Sequence, residues 1–292
     1  MPFGCSERTW LPAVGILAAL GLAGCDKNSG GPTTPPEIHA SGLEECGAHN
    51  VFHRANFPNS TNIDSKWFPL VPGTQMIFDG IVDLVPHRVV MTVTNLTKTI
   101  AGVRTVVIWD RDYSNGQLLE SELAFLAQDR YGNVWTIGEY PEEYQEGEFI
   151  GAPSTWMAGQ ELAEAGILVP SSMEVGARFL QGFAPYVNFL DCAVVSKTGQ
   201  STCVPFNCFE NLLVVDESSP AEGSGLQRKY YASGVGVVRI EPVNDPEGET
   251  LVLINVLKLN PQALTDANEA ALKLEQRAYQ VSAPYRRTAP IR

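Results

Sequence analysis

From His87 onward, β-branched runs alternate with glycine-bearing turns, and this alternation constrains the fold more than any other feature. His87 to Thr94 and Val103 to Trp109 are dense in Val, Ile and Thr, whose branched Cβ suits a pleated, half-buried strand. Asn95 to Gly102 separates them with polar residues and glycine. The second run leads into Asn115-Gly116, the pair best able to supply the positive φ angles of a tight hairpin. Leu118 to Ala127 and Val134 to Gly138 continue the series, the latter entered through Tyr131-Gly132-Asn133. Strand-like runs return at Asp191 to Ser196, Asn211 to Val215, Leu226 to Ala232, Gly236 to Ile240 and Thr250 to Leu257. Such short connections leave no room for helical crossovers, so the strands are antiparallel. The pattern predicts a mainly β fold, a curved antiparallel sheet or partly open barrel.

One helix closes the pattern. Asn260 is a suitable N-cap and Pro261 a suitable first helical residue. Leu264, Ala267, Ala271, Leu274, Ala278 and Val281 then recur every three or four positions, so the helix packs one apolar stripe on the sheet. Pro153 to Ala165 reads as a short helix or a long loop. Residues 39–283 form a single β-rich domain ending in this helix, and 284–292 a basic tail that is extended or frayed.

The amino-terminal region carries an address. Leu11 to Leu22 is an apolar run broken only by Pro12, Gly15 and Gly21, and it ends in Leu22-Ala23-Gly24-Cys25. A short apolar segment closing on small residues is a signal peptide, here residues 1–24. The closing tetrapeptide resembles the lipobox of bacterial lipoproteins, which implies lipid attachment at Cys25 and makes residues 25–38 the anchor and a Gly- and Pro-rich tether. The expected location is outside the cytoplasm, lipid-anchored to the cell envelope on its periplasmic or outer face. The expected partners are the membrane, through this anchor, and an apolar small molecule or an envelope protein. Acids outnumber bases 33 to 20, for a net charge of −13, which leaves no bulk basic surface for nucleic acid.

Beyond Cys5 and Cys25, four cysteines remain: Cys46, Cys192, Cys203 and Cys208. An even number in an exported chain reads as two disulfides with three possible connectivities. Cys192 and Cys203 flank Lys197-Thr198-Gly199-Gln200, which favours a bridge across that hairpin and would leave Cys46 to Cys208. The rival reading is zinc, from Cys46, His49 and His53, but this half-site lacks the second ligand pair of a structural zinc centre. No cofactor is expected.

Catalytic constellations are sparse. No serine sits on a Gly-x-Ser-x-Gly elbow, and no His-Glu-x-x-His occurs. Gly234-Val235-Gly236 lacks the third glycine of a dinucleotide loop. The histidines, His39, His49, His53 and His87, read as solvated or core-edge residues. Asp110, Asp112 and Glu120 surround the Asn115-Gly116 turn and read as a solvated hairpin tip, out of register for an EF-hand. Glu139, Glu142, Glu143, Glu146 and Glu148 read as a surface loop of ordinary acidity. No catalytic residue is therefore assigned. Trp109, Trp135, Tyr140 and Trp156 are candidates to line an apolar ligand pocket. The expected function is non-catalytic binding or assembly; the alternative is an exported hydrolase using carboxylates of the glutamate-rich segment.

Three further motifs occur in order: Trp67-Phe68-Pro69-Leu70-Val71-Pro72-Gly73, Gln128-Asp129-Arg130-Tyr131-Gly132-Asn133-Val134-Trp135 and Lys229-Tyr230-Tyr231-Ala232-Ser233-Gly234-Val235-Gly236. They resemble a family of uncharacterised exported bacterial proteins in which such segments recur in this order, with Ser233 where proline is usual. The resemblance implies curved antiparallel sheet wrapped on a helix and brings no catalytic residues. On physical grounds the prolines and glycines set turns and the aromatics fill the core.

Overall fold

The computed structural model describes residues 43, 46–47, 51–172, 174–219, 226–244 and 248–292. The signal peptide, Cys25, the tether, His39 and His49 lie outside the described residues. The strands are β1 (Thr74–Val82), β2 (Val85–Ile100), β3 (Val103–Ser114), β4 (Gln117–Gln128), β5 (Val134–Gln145), β6 (Glu148–Gly151), β7 (Trp156–Met157), β8 (Glu164–Val169), β9 (Arg178–Ala184), β10 (Phe189–Cys203), β11 (Cys208–Ser218), β12 (Leu226–Ala232), β13 (Gly236–Val243) and β14 (Thr250–Lys258). Twelve of them close an antiparallel barrel, with β6 and β7 as two extra strands. Closure comes from pairing of β1 with β14 and of β5 with β8, so the ring is complete where an open edge was also conceivable. A closed ring leaves no unpaired edge.

Asn115 (φ 49°) and Gly116 (φ 79°) take the left-handed conformations the β3–β4 turn requires. Strand β5 runs on to Gln145 and turns into β6, which corrects the expectation of a surface loop from Glu139 to Phe149. Pro153 to Ala165 is neither a helix nor a plain loop: it is irregular apart from β7, which pairs with β5 at Gly138 and Glu139, and it ends in the first two residues of β8.

Because cross-strand partners share a face, the register sorts the interior. Met76, Phe78 and Gly80 of β1 oppose Met91, Val89 and His87 of β2. Val89 opposes Asp112, and Val93 opposes Ile108. One end of the interior is thus apolar, with Phe68, Met76, Met91, Val93, Ile108 and Tyr231 buried in one core. The segment 51–73 crosses this end. Its Ser60 carbonyl accepts from Gln128 N at 2.8 Å, beside the β4–β5 turn, and its Lys66 carbonyl accepts from Gly234 N at 2.7 Å, in the β12–β13 turn. These two turns lie on opposite sides of the twelve-strand ring. Between them Phe68 meets Tyr231 edge to face, and a Cβ on Gly236 would come within 3.4 Å of the Phe68 ring. The first and third sequence motifs are therefore one plug and its socket.

Helix α1 (Pro261–Val281) begins as expected, with Asn260 accepting from Ala263 N. It buries Ala267, Ala271, Leu274 and Ala278 outside the barrel, while Val281 is exposed. The last residues are not frayed. A short helix α2 (Ala283–Arg286) buries Tyr285 against Phe125, Tyr140 and Tyr279. Ile291 is also buried, and Arg292 pairs with Thr97 through the backbone in both directions at 2.8 Å. Lys98 anchors this strap, donating to Glu275 at 3.0 Å and to the Ala289 carbonyl at 2.7 Å.

Candidate functional site

Aspartates and glutamates two residues apart on a strand point the same way. Asp110 and Asp112 of β3 oppose Glu122 and Glu120 of β4. Glu120 in turn opposes Glu143 of β5, and Ala124 opposes Glu139. All of these side chains share the inner face of the barrel, above the apolar layer. Directly opposed partners in such a sheet have Cβ atoms about 5 Å apart, so the wall presents a lattice of carboxyl groups. Asp110, Asp112, Glu122 and Glu139 are buried, Glu122 with 1% exposure and Glu139 with 5%.

Other strands add to the cluster. His87 lies between Asp112 and Glu249, with Nδ1 3.3 Å from Asp112 Oδ1 and Nε2 3.3 Å from Glu249 Oε1. Glu249 also accepts from the Gln227 amide. From the far wall, Lys229 of β12 pairs with Glu217 of β11 at 2.5 Å, and Glu217 accepts from Gln181 at 3.0 Å. The Trp156 indole reaches in from β7 and donates to Glu139 Oε2 at 2.8 Å. Neither oxygen of Glu122 has a hydrogen-bond partner among the described residues.

Burial and mutual repulsion set the acidity. Desolvation raises Asp110 to about 6 against the pull of the Arg111 amide and charge, Lys229 and His87. Glu139 is raised to about 8 by burial, which outweighs the Trp156 hydrogen bond, and Asp191 to about 7 by burial. Asp112, Glu120 and Glu122 are pushed well above the carboxylate range by desolvation and then by neighbouring carboxylates. Glu249 is raised by burial, with His87 opposing.

This arrangement corrects three expectations. Asp110, Asp112 and Glu120 are inward-facing wall residues, because the hairpin tip lies beyond them at Asn115-Gly116. His87 is buried between two acids. The glutamate run is split by strand alternation: Glu139 turns inward, Glu142 turns outward to accept from Tyr140 and pair with Arg277 at 2.6 Å, and Glu146 and Glu148 are exposed. Glu122, Asp191, Glu217, Lys229 and Glu249 were not singled out in the sequence. The period-two spacing of Glu120 with Glu122 inside the expected strand, and of Asp110 with Asp112 just past the expected end of β3, is the signal that points inward.

The four aromatic candidates do not form one pocket. Trp109 lies on the outer face, with its indole donating to Ser121 and Arg111 stacked at 3.9 Å. Trp135 packs with Phe52 and Phe57 under the plug. Tyr140 lies under the strap against Tyr285. Trp156 stacks on Phe189 beside Glu139. Alternation on a curved sheet sends these side chains to different layers.

The four cysteines form two disulfides, Cys46–Cys192 and Cys203–Cys208, instead of a Cys192–Cys203 bridge. Cys192 faces the N-terminal arm from β10, while Cys203 and Cys208 oppose each other at the end of the β10–β11 pair. Cys46 is thereby unavailable to a Cys46, His49, His53 zinc site, and among the described residues no three His, Cys, Asp or Glu side chains converge as a metal centre. Outside the barrel, a groove of about 600 Å³ is lined by Asp79, Gly80, Pro86, His87, Arg88, Val90, Tyr113 and Gly116.

No protein-family model matches the chain, and no curated protein matches it in sequence. Two solved structures show a distant likeness to the chain. One is a candidate exported protein with a YmcC-like fold from Bacteroides fragilis, at 17% identity and TM-score 0.39, covering 66% of this chain and 100% of that one. The other is a candidate lipoprotein from Parabacteroides distasonis, at 13% identity and TM-score 0.36, again covering 66% of this chain and 100% of that one.

Proposed function

We propose that the chain is an exported bacterial lipoprotein, tethered to the cell envelope through Cys25, whose barrel binds a small molecule with an apolar body and does not catalyse. The Leu22-Ala23-Gly24-Cys25 segment behind its apolar run supports the anchor. Residue 25 carries one lipidated terminus, so membrane retention depends on it. Among the described residues no helix is long and apolar enough to cross a membrane.

The observation that favours binding over hydrolysis is burial. A carboxylate hydrolase needs two acids facing one substrate, yet Glu122 and Glu139 are closed off inside the barrel. The outer groove, by contrast, has a volume in the range of small-ligand sites. Val90, Pro86 and Tyr113 give it apolar walls, and the Arg88–Asp79 pair at 2.5 Å gives it a polar rim.

Anilinonaphthalene sulfonate, an apolar dye with one charge, is a direct probe. The folded protein is expected to bind it saturably, and Val90→Asp to weaken binding at least about tenfold by placing a charge in the apolar wall. Equal dye binding by wild type and Val90→Asp rejects the groove. Cys25→Ala is expected to leave the protein soluble or uncleaved, and membrane retention equal to wild type rejects the anchor.

A further inference from the structure

We propose that the inner wall of β3, β4 and β5 is a proton-operated lock: the barrel closes around its own carboxyl groups while they carry protons and loosens when they are ionised. The proposal does not depend on the anchor or on the groove binding a ligand.

The geometry is that of too many acids for the available counter-charge. Glu122 faces Asp110 across β3, Glu139 on β5, and Glu120 on its own strand. Asp112 faces Glu120 on β4, His87 on β2 and Glu249 ahead of β14. Glu139 faces Trp156 on β7, Asp191 on β10 and Lys229 on β12, while Glu120 also faces Glu143 on β5 and Asp191 also faces Glu217 on β11. The one lysine facing this wall among the described residues, Lys229, is already paired with Glu217 at 2.5 Å, the Arg111 guanidinium is turned to the outer face over Trp109, and His87 lies between Asp112 and Glu249.

Three kinds of counter-charge could balance such a wall. A metal ion needs several ligands converging on one point, and no three side chains among the described residues do so. An organic cation needs space, and the oxygens of Glu122, with Asp110 Oδ2, have no solvent-sized space beside them. A proton needs neither. Buried like charges on neighbouring strands cannot all ionise, so the closed barrel holds protons.

The sign follows from linkage. A carboxyl group that holds its proton more tightly in the folded chain favours the closed state fully below its unfolded value. That contribution is lost as pH rises through the folded value. For Asp110, Asp191 and Glu139, raised to about 6, about 7 and about 8, the window extends from about 4 to about 8. Mildly acidic surroundings therefore tighten the wall and alkaline ones loosen it.

The test is urea unfolding of the disulfide-intact protein at pH 5, 7 and 9, with amide hydrogen exchange of β3–β5 corrected for intrinsic rates. The wild-type midpoint is expected to fall steadily from pH 5 to pH 9, and corrected exchange in β3–β5 to speed up on the order of tenfold per pH unit of lost protection. Glu122→Gln removes the charge and keeps the shape, so its midpoint should fall less steeply and exceed wild type at pH 9. Glu142→Gln, on the outer face, should keep the wild-type slope. A wild-type midpoint that is level or rises with pH overturns the proposal, as does a Glu122→Gln slope equal to wild type. If Glu122→Gln does not fold, Glu139→Gln takes its place, and the wild-type profile decides by itself.

Discussion

At the scale of single residues, polar side chains hold the turns and glycines permit the close approaches. Asp129 organises the β4–β5 turn, accepting from the backbone of Tyr131 and Asn133 at 2.9 Å each, from the Asn133 amide at 2.8 Å and from the Trp135 indole at 2.9 Å. Asp129→Ala leaves buried donors unanswered, and we expect a loss of about 3 kcal/mol in urea denaturation. Asp129→Asn should recover part of it, since one oxygen still accepts. Gly80 is required for a different reason. A Cβ there would lie 1.6 Å from the Thr250 carbonyl, so Gly80→Ala must push β14 away from β1. A destabilisation of about 2 kcal/mol or more is expected, and an unchanged midpoint would show that the β1–β14 seam is more pliable than this contact implies.

At the scale of elements, the C-terminal helix and strap are fixed to the β2–β3 hairpin by a buried polar knot. Lys98 is almost completely buried, lies over the Tyr285 ring at 4.0 Å and pairs with Glu275, which also accepts from Ile291 N at 2.8 Å. Desolvation lowers the Lys98 pKa despite Glu275. Removing one partner of a buried pair strands the other, so Lys98→Met should cost about 3–5 kcal/mol, with proteolysis at the tail as a second readout. Lys98→Met combined with Glu275→Leu should recover much of that loss. The disulfides act on elements too. Cys46–Cys192 closes 146 residues and Cys203–Cys208 only 5. Loop-closure entropy then makes the double Ser variant of the first pair the more destabilised, by about 3 kcal/mol.

Nine of the strands and the helix were legible because their signals are local: branched runs, Asn115-Gly116, and the Asn260-Pro261 cap; β1, β8 and β9 lack such runs and were not. Neither disulfide pairing was legible, because Cys203 and Cys208 meet only once β10 and β11 are in register, and Cys192 meets Cys46 only once the N-terminal arm has packed on β10. The apolar pocket failed for a related reason. Trp109 and Tyr140 sit outside and Trp156 inside, and a linear sequence does not show which face of a strand turns toward the lumen. The acid lattice was visible as period-two spacing, but Asp110, Asp112 and Glu120 flank a turn, where solvation is the ordinary outcome. Closure of the barrel, a long-range event, turned them inward.

At the scale of the whole molecule, the structure is a closed barrel with two unlike halves. The half crossed by residues 51–73 is a conventional apolar core plugged by Phe68. The other is a wall of carboxyl groups with few cations, built by a chain whose net charge is −13. Salt should affect this wall little, since buried charges are poorly screened, whereas pH should affect it strongly. Proton counting during unfolding tests the account most directly. In unbuffered denaturant at pH 7, a pH-stat should record release of about two or more protons per chain unfolded, because the folded carboxyl groups hold protons that the unfolded ones do not. Glu139→Gln should release about one fewer, as its carboxyl is raised to about 8. Unfolding that releases no protons at pH 7, or takes protons up, would contradict the protonated wall and with it the lock.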